Sequence, residues 1–158
     1  AAAGNGDMVV SGPCSNNKGQ WSLINTRGNV KYSHQYDCSY YDDNNFVALN
    51  TMKTRVYVSV DSTNSLLCFD MDGSKQFTYS PDNLRYPGGV AVDRYDNIYV
   101  LGYKPNTIHQ LSPDGSVKQV VDTGVPKFPL AICIHQSKDI LIITNGQDHK
   151  KLHIYQLK

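Results

Sequence analysis

A unit of about 42 residues recurs along this chain, and that recurrence restricts the possible folds more than any other feature. The clearest unit covers residues 86–121. Its anchor is Val100 in DNIYVLG, with counterparts at Val58 in TRVYVSV and Ile142 in KDILIIT, each 42 residues away. A fourth, fainter copy surrounds Val10. In two units a turn glycine follows the anchor valine by the same 15 residues, so the copies share internal register as well as period.

Each unit is predicted to contain four short strands, a to d, separated by turn residues. In the clearest unit the strands are 89–92, 97–101, 107–111 and 116–121. Asn, Asp and Gly between them tolerate the backbone conformations of tight hairpins. Four-stranded antiparallel units at this period are typical of propeller blades. We therefore predict an all-β fold, a β-propeller or part-propeller of about four four-stranded antiparallel blades.

The register along the chain predicts a single domain over residues 1–158, with blades at about 7–35, 46–80, 87–122 and 129–158. The first blade begins at strand b and the fourth stops before strand d, which leaves about three and three-quarter blades. Propellers protect strand edges by closing a ring. The alternatives are a piece of a longer propeller, a ring completed by two copies, or a four-bladed form with one incomplete blade. We favour the first two.

Composition excludes several classes of function. The 15 basic and 14 acidic side chains nearly cancel, so no overall field attracts nucleic acid or an anionic membrane. No apolar run approaches the roughly 18 residues of a membrane helix, and no charged-then-apolar leader is present. We therefore expect no membrane partner, and any binding must come from a local patch.

Four cysteines show neither a CxxC pair nor metal-ligand spacing. Cys68 and Cys133 lie inside strand patterns and are predicted to be small buried hydrophobic residues. Cys14 and Cys38 lie in predicted loops and could form a disulfide in a secreted protein. Because the chain also has no N-x-Ser/Thr acceptor site, we expect a cytoplasmic protein with free thiols, and keep secretion as the alternative.

The motif YPGGVAVDRYDNIYV, followed by GYKPNTIHQLSPDG and later by PLAICIHQSKDILIITN, resembles the NHL repeat. The likeness is closest to the C-terminal propellers of tripartite-motif proteins of molluscs and other invertebrates, and is strongest over residues 84–121. It implies a propeller that recognises a substrate protein or, in some members, RNA. These residues contain no RING or B-box pattern, so the resemblance implies only the recognition part of a ubiquitin ligase of this type.

The predicted binding surface is the face shared by the d-to-a and b-to-c connections. These connections are predicted to bring together basic and aromatic side chains from the third and fourth blades, with Asp82, Asp122 and Asp148 diluting the charge. Such a mixture suits a protein partner or, as a second class, RNA. The predicted binding residues are Arg85, Tyr86, Tyr103, Lys104, Lys127, Phe128 and Lys150, with His149 and Lys151 nearby.

No motif in the sequence indicates catalysis. There is no G-x-S-x-G elbow, and His149 and His153 straddle a predicted loop and strand, so their spacing does not indicate a metal site. We predict a non-catalytic interaction module without cofactor or metal, which binds a protein partner and could form a homodimer that completes the propeller. The alternative is a secreted propeller lectin that holds sugars between blades, for which a Cys14–Cys38 disulfide is expected.

Overall fold

The structure is a computed structural model that describes residues 6–39, 45–122, 127–146 and 151–157. Within these ranges the chain forms fourteen β-strands and one short 3-10 helix. The strands are β1 (Met8–Ser15), β2 (Lys18–Ile24), β3 (Val30–Asp37), β4 (Phe46–Leu49), β5 (Arg55–Val60), β6 (Ser65–Asp70), β7 (Lys75–Tyr79), β8 (Arg85–Val92), β9 (Ile98–Lys104), β10 (Thr107–Leu111), β11 (Val117–Asp122), β12 (Pro129–His135), β13 (Ile140–Asn145) and β14 (Leu152–Gln156). The helix, Asp61–Thr63, follows β5.

The strands pair into four antiparallel sheets of consecutive strands. Sheet 1 is β1-β2-β3, sheet 2 is β4-β5-β6-β7, sheet 3 is β8-β9-β10-β11 and sheet 4 is β12-β13-β14. The predicted all-β class and antiparallel sheets are confirmed. The two outer sheets each have three strands within the described residues, in agreement with a first blade expected to begin at strand b and a fourth expected to stop before strand d.

The middle strands of sheets 2 and 3 are buried on both faces. Along β5, every residue after Arg55 is buried, and along β6 every residue before Asp70 is buried. A sheet between two neighbours has no solvent face, so its sequence is a continuous apolar run instead of an alternating one. The outermost strand β11 is exposed along its whole length.

Three apolar clusters join the sheets in sequence. Trp21 and Phe69 belong to the cluster between sheets 1 and 2, and Tyr57 and Ile98 to the cluster between sheets 2 and 3. Ile143 packs in the cluster between sheets 3 and 4. At the inner edge, β8 contacts both β4 and β12, so the first strands of these three sheets lie around a common axis.

Two glycines allow sheets 3 and 4 to approach at this axis. A Cβ on Gly88 would lie 2.7 Å from the carbonyl oxygen of Leu130, and one on Gly89 would lie 2.8 Å from the amide nitrogen of Ile132. Both distances are shorter than real Cβ contacts, so only glycine fits between the two backbones.

A buried hydrogen-bonded group connects sheets 2 and 3. The hydroxyl of Tyr79 lies 2.8 Å from Nδ1 of His109, whose Nε2 lies 2.9 Å from the hydroxyl of Thr107. His109 is completely buried, and its burial lowers the pKa of the imidazole. The histidine therefore belongs to the scaffold.

The cysteines correct two expectations. Cys14 and Cys38 form a disulfide, with their Cα atoms 6.2 Å apart, so the expectation of free thiols at these positions is wrong. Residues 12–20 form the connection in which the sequence predicts Cys14 to lie in a loop, but they are mostly strand, since β1 continues to Ser15 and β2 begins at Lys18.

The second correction concerns the two remaining cysteines. Cys68 is buried, as predicted, but Cys133 is exposed. Its cross-strand neighbours are Ile142 and, one strand further, Ile154. All three share the face of sheet 4 that points away from sheet 3, and no further sheet packs on that face within the described residues.

Candidate interaction surface

The predicted binding residues that the structure describes lie at one end of the sheets, which we call the loop face. Here the b-to-c turns meet the d-to-a connections: the Tyr86 amide donates to Oδ1 of Asn64, and the Phe128 amide donates to Oδ1 of Asn106, at 2.8 and 2.6 Å. The amide of Gly146 donates to the Phe128 carbonyl at 2.8 Å. The two kinds of connection therefore share one end of the sheets and are bonded to each other.

The two asparagine contacts have the same hydrogen-bonding arrangement at equivalent repeat positions. In each, an asparagine in the left-handed conformation (Asn64, φ 50°; Asn106, φ 74°) bonds a residue 22 positions later. The bonded residues, Tyr86 and Phe128, also have a left-handed backbone conformation (φ 51° and 57°), and each precedes a proline. Residues before proline are normally extended, and the left-handed conformation costs a non-glycine residue about 1–2 kcal/mol. The asparagines thus fix two strained aromatic residues in place.

Three of the predicted residues line one cleft of about 380 Å³ on the loop face: Tyr86, Tyr103 and Lys104. The remaining lining residues are Phe46, Asp61, Pro87, Gly88, Leu130 and Gly146. The walls are thus mainly aromatic and apolar, and Asp61 and Lys104 supply opposite charges. A cleft with these properties suits a peptide side chain or a small ligand.

The other predicted residues surround this cleft or lie apart from it. Phe128 stacks against Tyr103, with ring centroids 4.9 Å apart, and so supports one wall. Arg85 is exposed and is the cross-strand partner of Lys104. Lys127 is exposed and does not line the cleft, while Lys150 lies outside the described residues.

Four of these residues are strand residues instead of loop residues. The predicted strand b of the third unit ended at residue 101, but β9 continues to Lys104, and β8 begins at Arg85. Because the strands are longer, Arg85 and Pro87, on either side of Tyr86, pair with Lys104 and Gly102 at the end of β9.

The positive side chains at the cleft have no acidic partner among the described residues. The ion pairs found in the described ranges lie elsewhere and involve other cations: Lys18, Lys31, Arg55 and Arg94. Arg85 Nε donates to the backbone oxygen of Asp82 at 3.2 Å. Lys104 Nζ lies over the Tyr86 ring, 5.5 Å from its centroid, within the range of a cation–π contact.

Sequence reasoning missed Phe46, Asp61 and Leu130, although the period contains a signal for them. Phe46, Gly88 and Leu130 occupy the same repeat position, 42 residues apart, and Asp61 is likewise equivalent to Tyr103. Equivalent positions from successive units converge at the axis and line the cleft together.

A second, wider groove of about 750 Å³ runs along the inner strands β4, β8 and β12. Most of its lining residues are apolar and come from three strand segments: Val47–Leu49, Val90–Val92 and Ile132–Ile134. In the described part of the chain, no three His, Cys, Asp or Glu side chains cluster as they would to hold a metal ion.

None of the helical structure found in the described ranges is long and apolar enough to cross a membrane.

Comparison with solved structures shows similarity over most of this chain at low sequence identity. The β-propeller domain of Cps50 (Swd1) from Myceliophteria thermophila aligns with a TM-score of 0.67 and 12% identity, covering 96% of this chain and 52% of that one. A chain of a mitotic checkpoint complex aligns with a TM-score of 0.72 and 14% identity over 95% and 45%. Hydrazine synthase from Kuenenia stuttgartiensis gives 0.62 and 12% over 70% and 32%.

Sequence comparison gives less. No family model matches the chain. The vitellogenin receptor Yl of Drosophila melanogaster is 30% identical over 69 residues, which are 43% of this chain and 4% of the receptor. This chain thus spans about half of the first two solved chains and a small part of the receptor. At these identities the solved structures establish the fold, and the four consecutive sheets are those of a β-propeller.

Proposed function

We propose that this propeller is a non-catalytic interaction module that recognises a protein partner through the cleft on its loop face. The observation that carries the proposal is the convergence of Tyr86, Tyr103 and Lys104 on one cleft with apolar walls. Tyrosine is enriched at the energetic centres of protein interfaces, where a half-exposed ring contributes contact area at low entropic cost. Tyr86, which is 50% exposed, fits this role.

The composition of the cleft supports a binding role, since most of its lining side chains are aromatic or apolar. On the basis of the resemblance found in the sequence, we further propose that this module is the substrate-recognition propeller of an NHL-type tripartite-motif ubiquitin ligase.

The test is a selection of random peptides displayed on phage, with the intact chain as bait. Peptides enriched on the wild-type protein should lose binding to Tyr86→Asn, since asparagine tolerates the left-handed backbone but removes the ring. The matched control is Tyr95→Asn, which removes an exposed tyrosine from the β8–β9 turn at the opposite end of the sheets. Enriched peptides that bind Tyr86→Asn as tightly as the wild type would overturn the proposal.

The Cys14–Cys38 disulfide supports a second candidate, a secreted propeller that binds carbohydrate between its sheets. Structural disulfides are characteristic of oxidising compartments and rare in the cytosol. This second candidate implies an extracellular location, whereas the ubiquitin-ligase proposal implies the cytoplasm. The test is peptide mapping of protein from its native source, alkylated and digested without reductant: a linked peptide that contains Cys14 and Cys38 supports the disulfide, and alkylated Cys14 and Cys38 contradict it. Retention on immobilised sugars then separates the lectin from the protein-binding module.

We also propose that two copies associate through the open face of sheet 4. Leu152 and Ile154 on this face are each 64% exposed, whereas Leu141 and Ile143 on the opposite face are buried against sheet 3. The first two solved propeller chains above are about twice as long as the part that this chain covers, so a second copy would supply a comparable amount of structure. RNA remains the second class of partner for the loop face.

A further inference from the structure

The cleft has a charge arrangement that the propeller scaffold does not need. Arg85 and Lys104 are directly opposed cross-strand partners of β8 and β9. Like charges in this arrangement repel each other and destabilise a strand pair. Within the described residues neither side chain forms an ion pair, and an uncharged side chain at either position would serve the sheet better.

The position of Lys104 directs this charge toward a ligand. Its ammonium group lies above the Tyr86 ring, and both residues line the cleft. The Arg85 guanidinium bonds the Asp82 carbonyl through Nε, which leaves its two terminal nitrogens as donors in the fork that matches a carboxylate. Lys104 therefore lines the aromatic cleft, and Arg85 is its cross-strand neighbour next to the lining.

We propose that the partner presents an acidic peptide segment, with an aromatic or aliphatic side chain in the cleft and neighbouring carboxylates paired with Arg85 and Lys104. This inference rests on the proposed function and adds the chemistry of the partner. The cleft volume of about 380 Å³ is near the lower end of the range of about 300–1,000 Å³ for ligand clefts, which suits a side-chain anchor. A carboxylate there relieves the repulsion between the two cations.

The remaining charges favour an acidic peptide over RNA. Asp61 lines the cleft itself, and Asp82 immediately precedes the predicted patch. The net charge of the chain is only +1. A nucleic-acid backbone needs a continuous basic track that contacts successive phosphates, and two cations interrupted by carboxylates do not form such a track. Two cations beside an aromatic cleft instead match one or two carboxylates next to an anchor residue.

The experiment measures fluorescence anisotropy of three fluorescein-labelled pools of 12-residue peptides with the intact protein. Every peptide has a central Phe, Leu or Trp. The flanking residues are Asp and Glu in the first pool, Lys and Arg in the second, and only Gly and Ser in the third. A mixed-sequence RNA of 12 nucleotides is the fourth probe. We expect the acidic pool to bind at least tenfold more tightly than the basic pool, with affinity that falls as salt is added.

Two double variants test the residues. Arg85→Gln with Lys104→Gln should reduce the preference for the acidic pool to less than threefold, and Arg85→Glu with Lys104→Glu should transfer the preference to the basic pool. The control for the Glu variant is Arg27→Glu with Lys138→Glu. It makes the same change in net charge at two exposed turn residues outside the cleft and should retain the wild-type preference.

Each other outcome has a defined meaning. Equal binding of the three pools, with all of it lost in Tyr86→Asn, would overturn the acidic partner and leave the proposed function intact. Tighter binding of the RNA than of the acidic pool would overturn the peptide and favour the second class of partner. An acidic preference that the control variant also loses would assign the effect to net charge, and absence of binding by every pool would likewise overturn the inference.

Discussion

At the scale of single residues, the turn glycines show how neighbouring sheets fit together. Gly73 and Gly28 both have a positive φ, +88° and +80°. A Cβ on Gly73 would lie 1.9 Å from Nδ1 of His34 in the preceding sheet, whereas a Cβ on Gly28 would meet nothing within 4 Å. Comparing substitutions at these two glycines therefore separates the cost of the backbone conformation from the cost of the steric clash with His34.

We expect Gly28→Ala to lower the free energy of unfolding by about 1 kcal/mol, since alanine at a positive φ is strained. Gly73→Ala should cost about 1–3 kcal/mol more, because the His34 ring must move as well. Urea unfolding followed by tryptophan fluorescence measures both, since Trp21 lies 4.8 Å from the His34 ring. Equal losses in the two variants would show that the His34 contact is unimportant.

The buried His109 predicts a pH dependence of stability. Burial lowers the pKa of His109 in the folded state, whereas the unfolded chain has the ordinary value of about 6.5. Below that pH the unfolded state binds more protons, so stability should fall as the pH decreases from about 6.5 toward the folded-state pKa.

His109→Gln should be less stable than the wild type at pH 7.5 but should lose less stability between pH 7 and pH 5. Thermal melts across this range measure the two slopes. Identical slopes would mean that protonation of His109 does not contribute to acid destabilisation.

At the scale of elements, the connection between a b-to-c turn and the next sheet depends on the asparagine contacts. Asn64→Gly retains access to the left-handed backbone and removes the acceptor for the Tyr86 amide. We expect a loss of about 1 kcal/mol, typical of one hydrogen bond, and faster exchange of the Tyr86 amide proton. Asn16→Gly is the matched control, because Asn16 is also left-handed (φ 52°) in the β1–β2 turn. An unchanged exchange rate at Tyr86 in Asn64→Gly would contradict a positioning role.

The strands show what sequence could and could not predict. The period and the alternation of strands and turns are local properties, so the sheets and their antiparallel order followed from Val58, Val100 and Ile142. The ends of β8 and β9 did not, because Arg85–Lys104 pairing depends on a partner strand rather than on residue preference. The convergence of Phe46 and Leu130 required knowledge of how the sheets are arranged about the axis.

The exposed face of sheet 4 could not be predicted for a related reason, and the sequence left the Cys14–Cys38 disulfide open as an alternative to free thiols. Cys68 and Cys133 have the same strand context in the sequence, yet one is buried between two sheets and the other faces away from them. Strand periodicity identifies which residues share a face, but packing order decides whether that face is covered. The disulfide depended on β1 continuing to Ser15.

At the scale of the whole molecule, the proposed association through sheet 4 predicts a dimer in solution. Light scattering of the wild-type chain should give twice the chain mass of 17.6 kDa. Leu152→Glu with Ile154→Glu should shift the protein to monomer, because burying these charges at an interface is unfavourable. Met52→Glu with Val117→Glu changes two other exposed apolar residues and should leave the dimer intact. A monomeric wild type at the highest soluble concentration would contradict the association.

The repeat-equivalent positions around the axis separate what the scaffold requires from what a partner can select. Asp61 and Tyr103 extend from the same place in successive blades, so exchanging them would keep composition and net charge constant while rotating the chemical pattern by one blade. Gly88 cannot take part in such an exchange, since the Leu130 carbonyl occupies the space of its Cβ. A chain built from duplicated units can in this way acquire a new specificity by changing one copy, while the other copies continue to maintain the architecture.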